Sequence, residues 1–405
     1  MKITIKPGTA FGRIKAHPSK SDAHRLIIAA ALSKGESEIK EIEQSEDIKA
    51  TVNAVKQLGA SCVFNGNNLK ITASGARLSD GAVIDCNESG STLRFMIPIL
   101  LIFNKKATLI GSPRLFERPL GIYEKICEKE NLTFQKIKNG IELKGPLKGG
   151  RYEINGDISS QFITGLLFAL PLLKTDSEIK IIPPVESRPY IEITLDVLKK
   201  AGIKVDLSEN NIYIYGNQLY SPLREYVEKD WSNAAFLDAF NLIGGNVRIE
   251  GLNHLSKQGD KIYKEFFSLF RHSSPSQHPP EINIADAPDL APVTMALAAA
   301  KGGAVLTGTK RLKFKESDRG AAMKEELSKF GIETEIEENK ITVKKGILHS
   351  PISPLRSHND HRIAMALSIP ASITGATIEG AEAVRKSYPE YWKDIEKLGI
   401  EVIYE

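Results

Sequence analysis

The sequence predicts an α/β protein of two domains, each made of three βαβαββ repeats with the helices inside and the sheets outside. Its 405 residues exceed what one hydrophobic core usually serves, so two domains are expected. Six segments share one order of elements: a strand, a short polar connection (the elbow), an apolar helix and a second strand. An amphipathic helix and a hairpin of alternating residues follow, which completes a repeat of about 60–70 residues.

The six apolar helices each begin beside a short polar residue, which can accept hydrogen bonds from unpaired first-turn amides. The segments are GRIKAHPSKSDAHRLIIAAAL, VIDCNESGSTLRFMIPILL, GRYEINGDISSQFITGLLFALPLL, REYVEKDWSNAAFLDAFNLIGG, EINIADAPDLAPVTMALAAAKGG and LRSHNDHRIAMALSIPASITG. The polar residues are Ser21, Ser91, Ser159, Ser232, Asp289 and Asp360. Because these helices are apolar on most faces, we expect them to be buried. For Ser232 and Asn233, helix capping is the favoured interpretation.

The second half of a repeat is clearest in three places. Apolar residues recur there at helical spacing up to a Gly, and two alternating strands joined by a polar turn follow. The segments are TVNAVKQLGASCVFNGNNLKITA, ITLDVLKKAGIKVDLSENNIYIYG and AAMKEELSKFGIETEIEENKITVKKG.

The last repeat has one strand, in KDIEKLGIEVIYE, where the others have two. The N-terminal strand MKITIKPG has the pattern to supply the second. We therefore assign residues 1–15 with 227–405 to domain I and 16–226 to domain II, with the active site in the interdomain cleft. The fourth repeat is irregular, because its hairpin is missing or shortened near HSSPSQHPP, which we interpret as an exposed loop.

The composition, 41% hydrophobic and 26% charged, is that of a soluble globular protein. With 54 basic against 50 acidic residues and 7% aromatics, nucleic acid is not an expected partner. The three cysteines match no metal-ligand spacing, and no segment has about 18 consecutive apolar residues. The N-terminus lacks the apolar stretch of a signal peptide. We expect a cytoplasmic protein without metal or membrane contact, and a monomer because no apolar stripe is evident.

Basic residues recur beside the elbows. They are Lys20, Arg25, Arg94, Arg118, Lys315, Arg319, Arg362 and Lys386. Aligned helix N-termini also favour anions, so we expect one or two small substrates with several negative charges. No phosphate loop and no strand-linked GxGxxG is present, which argues against a nucleotide cofactor. His361 beside Asp360 is weak support for a metal site, and a histidine held by hydrogen bonds is at least as good an interpretation.

Nine blocks of sequence resemble the EPSP synthases (3-phosphoshikimate 1-carboxyvinyltransferases) of the enolpyruvyl transferase family. They lie in the family's order along nearly the whole chain: PSKSDAHR, NESGSTLR, GSPRLFERP, GDISSQF, ESRPYIEITL, DAPDLAP, KESDR, NDHR and RKSYPEYW. The resemblance implies the inside-out barrel fold of that family. It also implies transfer of an enolpyruvyl group from phosphoenolpyruvate to the 5-hydroxyl of shikimate 3-phosphate, with release of phosphate and no cofactor.

The same resemblance implies roles for single residues. Those implied for shikimate 3-phosphate are Lys20, Ser21, Arg25, Ser159, Ser160, Gln161, Ser187, Tyr190, Asp289 and Lys315. Those implied for phosphoenolpyruvate are Lys20, Gly90, Arg94, Arg118, Gln161, Arg319, Arg362 and Lys386. Catalysis would fall to Asp289 as base and Glu316 as acid, with Lys20, Lys315 and His361 near them. A carboxylate among cations tends to lose its proton, and burial opposes this, so the outcome for an acid is open.

Five residues depart from the family pattern: Asp22 and His24 in the first block, and Glu88, Ser89 and Ser91 in the second. Two other functions were weighed. A UDP-N-acetylglucosamine enolpyruvyl transferase usually carries a reactive cysteine before its Arg motif, which SPRLFERPLG lacks, and Cys127 resembles a structural residue. A non-catalytic anion- or RNA-binding scaffold would have no need of Asp289 or Glu316.

Overall fold

The computed structural model describes residues 1–272 and 279–405, and the chain forms two compact units. The continuous unit is Pro18–Glu228, and the discontinuous unit is Met1–His17 with Lys229–Glu405. The predicted boundaries, after residues 15 and 226, each lie two residues before these limits, which fall after 17 and 228. Within the described ranges, no helix is both long and apolar enough to cross a membrane.

Two strands precede the continuous unit, and its own elements then alternate as the repeats predict. The strands are β1 (Lys2–Ile5) and β2 (Phe11–Lys15). The elements are α1 (Lys20–Leu32), β3 (Lys34–Lys40), α2 (Glu46–Lys56), β4 (Ser61–Asn65), β5 (Asn68–Ser74), β6 (Ala82–Asp85), α3 (Gly90–Leu101), β7 (Lys106–Ile110), α4 (Pro113–Glu117), α5 (Gly121–Glu130), β8 (Thr133–Ile137), β9 (Gly140–Lys144), β10 (Arg151–Asn155), α6 (Ser160–Ala169), β11 (Ser177–Ile182), α7 (Arg188–Lys200), β12 (Val205–Ser208), β13 (Asn211–Ile214) and β14 (Arg224–Tyr226).

The discontinuous unit continues the same alternation. Its further elements are α8 (Trp231–Asp238), β15 (Asn246–Glu250), α9 (Tyr263–His272), β16 (Glu281–Asn283), α10 (Ala291–Lys301), β17 (Ala304–Thr307), α11 (Arg319–Lys329), β18 (Thr334–Ile336), β19 (Lys340–Val343), β20 (Leu355–Arg356), α12 (His361–Thr374), β21 (Ala376–Glu379), α13 (Tyr391–Lys397) and β22 (Val402–Tyr404). The predicted loop HSSPSQHPP covers residues 272–280, of which 273–278 lie outside the described residues.

Five four-stranded sheets share one topology, in which the first two strands are parallel and the remaining neighbours are antiparallel. Their strand orders are β14-β3-β5-β4, β6-β7-β9-β8, β10-β11-β13-β12, β16-β17-β19-β18 and β20-β21-β1-β22. In the fourth repeat, β15 pairs with β2 in a two-stranded sheet.

The N-terminal strand completes the last repeat, as predicted. β1 lies antiparallel between β21 and β22, with Ile3 opposite Ile378 on one side and Tyr404 on the other. Ile3 and Ile5 are fully buried. The apolar face of the strand therefore fixes its register in this sheet.

One sequence assignment is wrong. GRIK was expected to open the first repeat, but β2 lies parallel to β15 of the fourth repeat, and β14 lies parallel to β3 of the first. The two segments exchange partners where the chain crosses between units. Both are short first strands that pair in parallel with a second strand, so their own pattern does not reveal which sheet they join.

The repeats place their helices inside. In α1 every residue from Asp22 to Leu32 is buried, and α3, α6, α10 and α12 are buried along nearly all their length. The strands alternate instead, as in β5, where Leu69, Ile71 and Ala73 are buried and their neighbours mostly exposed. Each sheet thus turns one face to the helices and the other outward, which confirms the predicted layering.

Candidate active site

The helix starts of the continuous unit carry one group of predicted site residues, which we call the first half-site. The Ser19, Ser89 and Ser159 hydroxyls cap α1, α3 and α6 by accepting hydrogen bonds from first-turn amides. Capping by Ser159 was predicted, but the caps of α1 and α3 lie two residues before Ser21 and Ser91. The Ser91 hydroxyl instead accepts a hydrogen bond from Gln161 Nε2 at 3.0 Å.

Arg25 is a buried cation at the centre of this half-site. Its Nε donates to Thr194 Oγ1 at 2.8 Å, and its Nη1 and Nη2 donate to the Ser21 and Tyr190 carbonyls at 2.6 and 3.0 Å. Burial lowers the pKa of Arg25 to about 10, so the side chain still carries its charge at neutral pH. The hydrogen bonds fix the guanidinium in one orientation.

Arg94 is held in a comparable way. Its Nη1 donates to Gln161 Oε1 at 2.7 Å, its Nη2 donates to the Pro119 carbonyl at 3.1 Å, and its guanidinium lies 5.3 Å from the centre of the Phe162 ring. α3 and α6 pack against each other, which brings these residues together from two repeats. Arg94 and Gln161, both predicted site residues, are therefore direct neighbours.

Gly90 opens α3 against the guanidinium of Arg118. A Cβ atom at Gly90 would lie 2.7 Å from Arg118 Cζ and 2.8 Å from its Nη2, closer than real contacts allow. The absent side chain is what lets the guanidinium lie over the start of the helix. Gly90 and Arg118, both predicted site residues, are therefore direct neighbours.

The remaining predicted residues of this unit lie at the same helix starts. Lys20, the first residue of α1, pairs with Asp47 at 2.7 Å. Ser160 opens α6, and Ser187 precedes α7 in a left-handed conformation with φ of 58°. Such a conformation is strained for serine and is typical of binding sites. Tyr190 contributes its backbone carbonyl to Arg25, and its predicted role toward the substrate ring stays a prediction.

The discontinuous unit carries a separate group of predicted site residues, the second half-site, around Arg319, which is almost fully buried. Its Nε donates to Asp360 Oδ2 at 2.8 Å, its Nη1 to Asp289 Oδ1 at 2.7 Å, and its Nη2 to Glu316 Oε2 at 2.8 Å. The three carboxylates come from different segments of the chain. They overcome the effect of burial and raise the pKa of Arg319, so its charge is permanent.

Asp289 is bound by three cations. Lys315 Nζ lies 3.0 Å and Arg319 Nη1 2.7 Å from its Oδ1, and Arg362 Nη2 lies 3.0 Å from its Oδ2. Burial alone would raise the pKa of Asp289, but the cations outweigh it and hold this pKa well below its usual range. Asp289 is therefore ionised in this environment, and its predicted role as a base stays a prediction.

Lys315 differs from its neighbours. Burial, with the nearby charges of Arg319 and Arg311, lowers its pKa, and Asp289 and Glu316 oppose that effect without cancelling it. An ammonium with a lowered pKa gives up its proton more readily than an exposed lysine does. Asp289 and Lys315 thus form an ion pair in which each group stabilises the charge of the other.

Arg362, Lys386 and His361 complete this half-site. Arg362 Nη1 donates to Ser232 Oγ at 2.7 Å, and Lys386 Nζ donates to the Asn359 carbonyl. His361 is buried with its Nδ1 3.8 Å from Asp360 Oδ1. The capping interpretation of Ser232 is wrong, because Asp230 caps α8 and leaves the serine hydroxyl to bind Arg362.

The contacts that Asp360 and Asp260 make with distant segments of the chain were not predicted from the sequence. Asp360 was expected near a helix start and does cap α12, but it also binds Arg319. Asp260 is buried and hydrogen-bonds Ser232, and burial together with the charge of Asp289 raises its pKa to about 6. No local signal marks these partners, because the fold brings them together from distant segments.

The departures from the family pattern have structural explanations. Asp22 Oδ2 accepts a hydrogen bond from the Glu228 amide at 2.9 Å, and burial raises the pKa of Asp22 to about 6. His24 Nδ1 lies 2.6 Å from Thr51 Oγ1, and burial holds its pKa well below the usual range. Glu88 does not cap α3, since Ser89 does.

Cys127, interpreted above as a structural residue, is buried in α5. Burial raises its pKa to about 12, so the thiol stays protonated. A protonated, buried thiol is a poor nucleophile, which agrees with the structural interpretation of Cys127.

Comparison with known proteins gives one consistent result. A family model described as EPSP synthase (3-phosphoshikimate 1-carboxyvinyltransferase) matches residues 6–395. A 3-phosphoshikimate 1-carboxyvinyltransferase of Brachyspira hyodysenteriae is 39% identical over 422 aligned positions that cover 100% of both chains. A protein of that name from Clostridium perfringens strain SM101 is 40% identical over 430 positions, covering 98% of each. An EPSP synthase structure from Acinetobacter baumannii has a TM-score of 0.78 at 22% identity over the whole of both chains, which shows the fold.

Proposed function

The chain belongs to the EPSP synthase family, and we propose that it transfers the enolpyruvyl group of phosphoenolpyruvate to the 5-hydroxyl of shikimate 3-phosphate. The observation that best supports a catalytic role is the Asp289 carboxylate, held ionised by Lys315, Arg319 and Arg362. A pure anion-binding scaffold gains nothing from a carboxylate that neutralises its own cations.

The continuous unit supplies the binding groups for the phosphates. Arg25, Lys20 and the α6 start with Ser159 and Ser160 bind shikimate 3-phosphate, and Ser187 contributes to the same phosphate. Charged donors and unpaired helix-start amides are the groups that bind phosphate in proteins.

Phosphoenolpyruvate is bound by a second set of residues. Gly90, Arg94 and Arg118 bind its phosphate with Lys386, and Gln161 orients Arg94. Arg319 and Arg362 bind its carboxylate.

The reaction is an addition followed by an elimination. Asp289 takes the proton of the 5-hydroxyl of shikimate 3-phosphate as the hydroxyl oxygen bonds to C2 of phosphoenolpyruvate. An acid protonates the methylene carbon C3. The tetrahedral adduct then loses phosphate as the bond between C2 and the phosphate oxygen breaks, and Asp289 returns its proton to the departing phosphate. The conjugate base of the acid removes a proton from the methyl group, which restores the double bond. Atoms and charges balance with no covalent intermediate on the protein.

Glu316 is the proposed acid, and its contact with Arg319 gives it a way to gain a proton. An ion-paired carboxylate holds a proton poorly. When the carboxylate of phosphoenolpyruvate binds Arg319, it competes with Glu316 for Nη2 and weakens that ion pair. Substrate binding therefore favours protonation of Glu316, while Lys315 and His361 lie in the same half-site.

The test is phosphate release from phosphoenolpyruvate without added metal, with shikimate 3-phosphate and separately with UDP-N-acetylglucosamine. We expect release only with the first, and a loss of about 10²-fold or more in kcat for Glu316→Gln. Glu338→Gln, at an exposed glutamate paired with Lys310, is the matched control and should keep wild-type rates. Release only with the sugar nucleotide would contradict the proposal.

We further propose that the protein acts as a monomer in the cytoplasm, without nucleic acid or membrane partners. Light scattering coupled to gel filtration should then give a mass near 44.6 kDa at micromolar concentration. A mass twice that value, independent of dilution, would contradict the monomer.

A further inference from the structure

The turn before α12 has an unusual backbone. The Asp360 amide donates to the Ser357 carbonyl at 2.9 Å, which closes a four-residue turn. Its two central residues, His358 and Asn359, have positive φ angles of 50° and 54°. Turns of this kind normally place Gly at one of these positions, because most other residues are strained there. Contacts from outside the turn must therefore compensate.

Glu326 provides these contacts from α11. Its side chain is fully buried, and its Oε1 accepts a hydrogen bond from His358 Nε2 at 2.8 Å. Its Oε2 accepts one from the Arg356 amide at 2.9 Å, directly before the turn. Burial would raise the pKa of Glu326, but His358, Lys329 and the Arg356 amide outweigh it and lower this pKa. The carboxylate is therefore ionised, and His358 Nε2 is the donor.

Glu325, Glu326 and His358 also have the spacing of a metal site. Lys329 Nζ, however, lies 3.1 and 2.8 Å from the two Glu326 oxygens, where it already supplies the balancing cation. The cluster is thus complete as a hydrogen-bonded ion pair. It serves to hold the turn in place.

The turn carries groups of the candidate site on its other side. The Asn359 carbonyl accepts a hydrogen bond from Lys386 Nζ, and Asp360 binds Arg319 Nε at 2.8 Å. Arg319 is the first residue of α11, and Glu326 lies two helical turns further along it. The helix thus holds the segment from Arg356 to Asp360 at two points.

We propose that Glu326 and His358 are positioning residues for phosphoenolpyruvate, because they fix the strained turn whose Asn359 carbonyl sets the place of the Lys386 ammonium. The inference rests on the proposed function, in which Lys386 binds the phosphate of that substrate. Neither Glu326 nor His358 needs to touch substrate. Their effect passes through the backbone of the turn.

The test compares two variants with a neighbouring control. Glu326→Gln removes the charge that receives both hydrogen bonds, and His358→Asn removes the imidazole but keeps a residue that tolerates left-handed backbone. Both should raise the KM for phosphoenolpyruvate about fivefold and leave the KM for shikimate 3-phosphate within about twofold of wild type. Glu325→Gln, at a half-exposed glutamate 4.0 Å from His358, should change neither constant.

A double-mutant cycle with Lys386→Ala separates positioning from general damage. If the cluster acts through Lys386, Glu326→Gln and His358→Asn should raise the KM no further in that background. The inference would be overturned if Glu326→Gln and His358→Asn raised the KM for phosphoenolpyruvate equally with Lys386 present and in the Lys386→Ala background. An equal rise in the KM for both substrates would also overturn it. If Lys386→Ala raises the KM and the two variants do not, this inference alone fails. If Lys386→Ala has no effect, the proposed role of Lys386 fails, and the inference with it.

Discussion

A methyl group added at Gly90 should weaken phosphoenolpyruvate binding by displacing Arg118. In the structure, a Cβ at this position would lie 2.7 Å from Arg118 Cζ. Carbon atoms normally approach to about 3.5–4.0 Å, so the guanidinium must move by about 1 Å. For two unit charges at an effective dielectric constant of about 20, moving from about 3 to about 4 Å costs about 1.4 kcal/mol. The expected result for Gly90→Ala is therefore about a tenfold higher KM for phosphoenolpyruvate.

Initial rates of phosphate release at varied phosphoenolpyruvate measure this effect directly. Gly121→Ala is the matched control, because Gly121 also opens a helix but has open space where its Cβ would lie. It should keep the wild-type KM. Arg118→Ala should raise the KM by itself, and Gly90→Ala should then add little, since the displaced group is gone. A tenfold increase from Gly90→Ala in the Arg118→Ala background would refute the reasoning.

Three other substitutions test the charges of the two half-sites. Ionisation of Asp22, whose pKa rises from 3.8 to about 6 on folding, destabilises the fold as pH rises through that interval. Asp22→Asn should thus add about 1–3 kcal/mol to the free energy of unfolding at pH 7.5 and almost nothing near pH 3, as urea titrations would show. Asp289→Asn should lower kcat about 10²-fold or more at every pH from 5 to 9, since its depressed pKa keeps it ionised throughout, and an unchanged kcat would exclude it as base. Ser232→Ala removes the hydroxyl that binds Arg362 and should raise the KM for phosphoenolpyruvate about threefold, with Ser328→Ala, at an exposed serine on α11, as control.

Much of the fold followed from the sequence because its signal is periodic. Apolar helices without a polar face have to be buried, and alternating strands have to present one face to them, so the layering and the family could be predicted and are confirmed. The partner of β1 was also predicted, because one repeat lacked a strand. The exchange of partners between β2 and β14 was not predicted, because the residue pattern of a short strand does not show which sheet it joins.

The candidate site was predictable as a set of residue types and less so as a network. Local sequence and family resemblance selected Asp289, Arg319 and Arg362, and the structure brings them into contact. Their roles toward substrates stay predictions. Neither the local sequence nor the family resemblance indicated that Arg319 would be held by three carboxylates. The same is true of the contact by which Glu326 supports a turn 32 residues further along the chain. Such pairs depend on how repeats pack, and that information is not local.

Arg25 and Arg94 have different kinds of partners from Arg319, which predicts different effects of substitution. The hydrogen bonds of Arg25 and Arg94 described above go to a hydroxyl, an amide and carbonyls, whose dipoles orient a guanidinium without cancelling its charge. The charge of Arg319 is instead balanced by carboxylates, including Asp289. Guanidinium groups that are oriented by neutral dipoles are suited to binding phosphate, whereas paired acids and bases can exchange protons when a substrate disturbs the pair. We therefore expect substitutions in the continuous unit to act mainly on KM and those around Asp289 mainly on kcat.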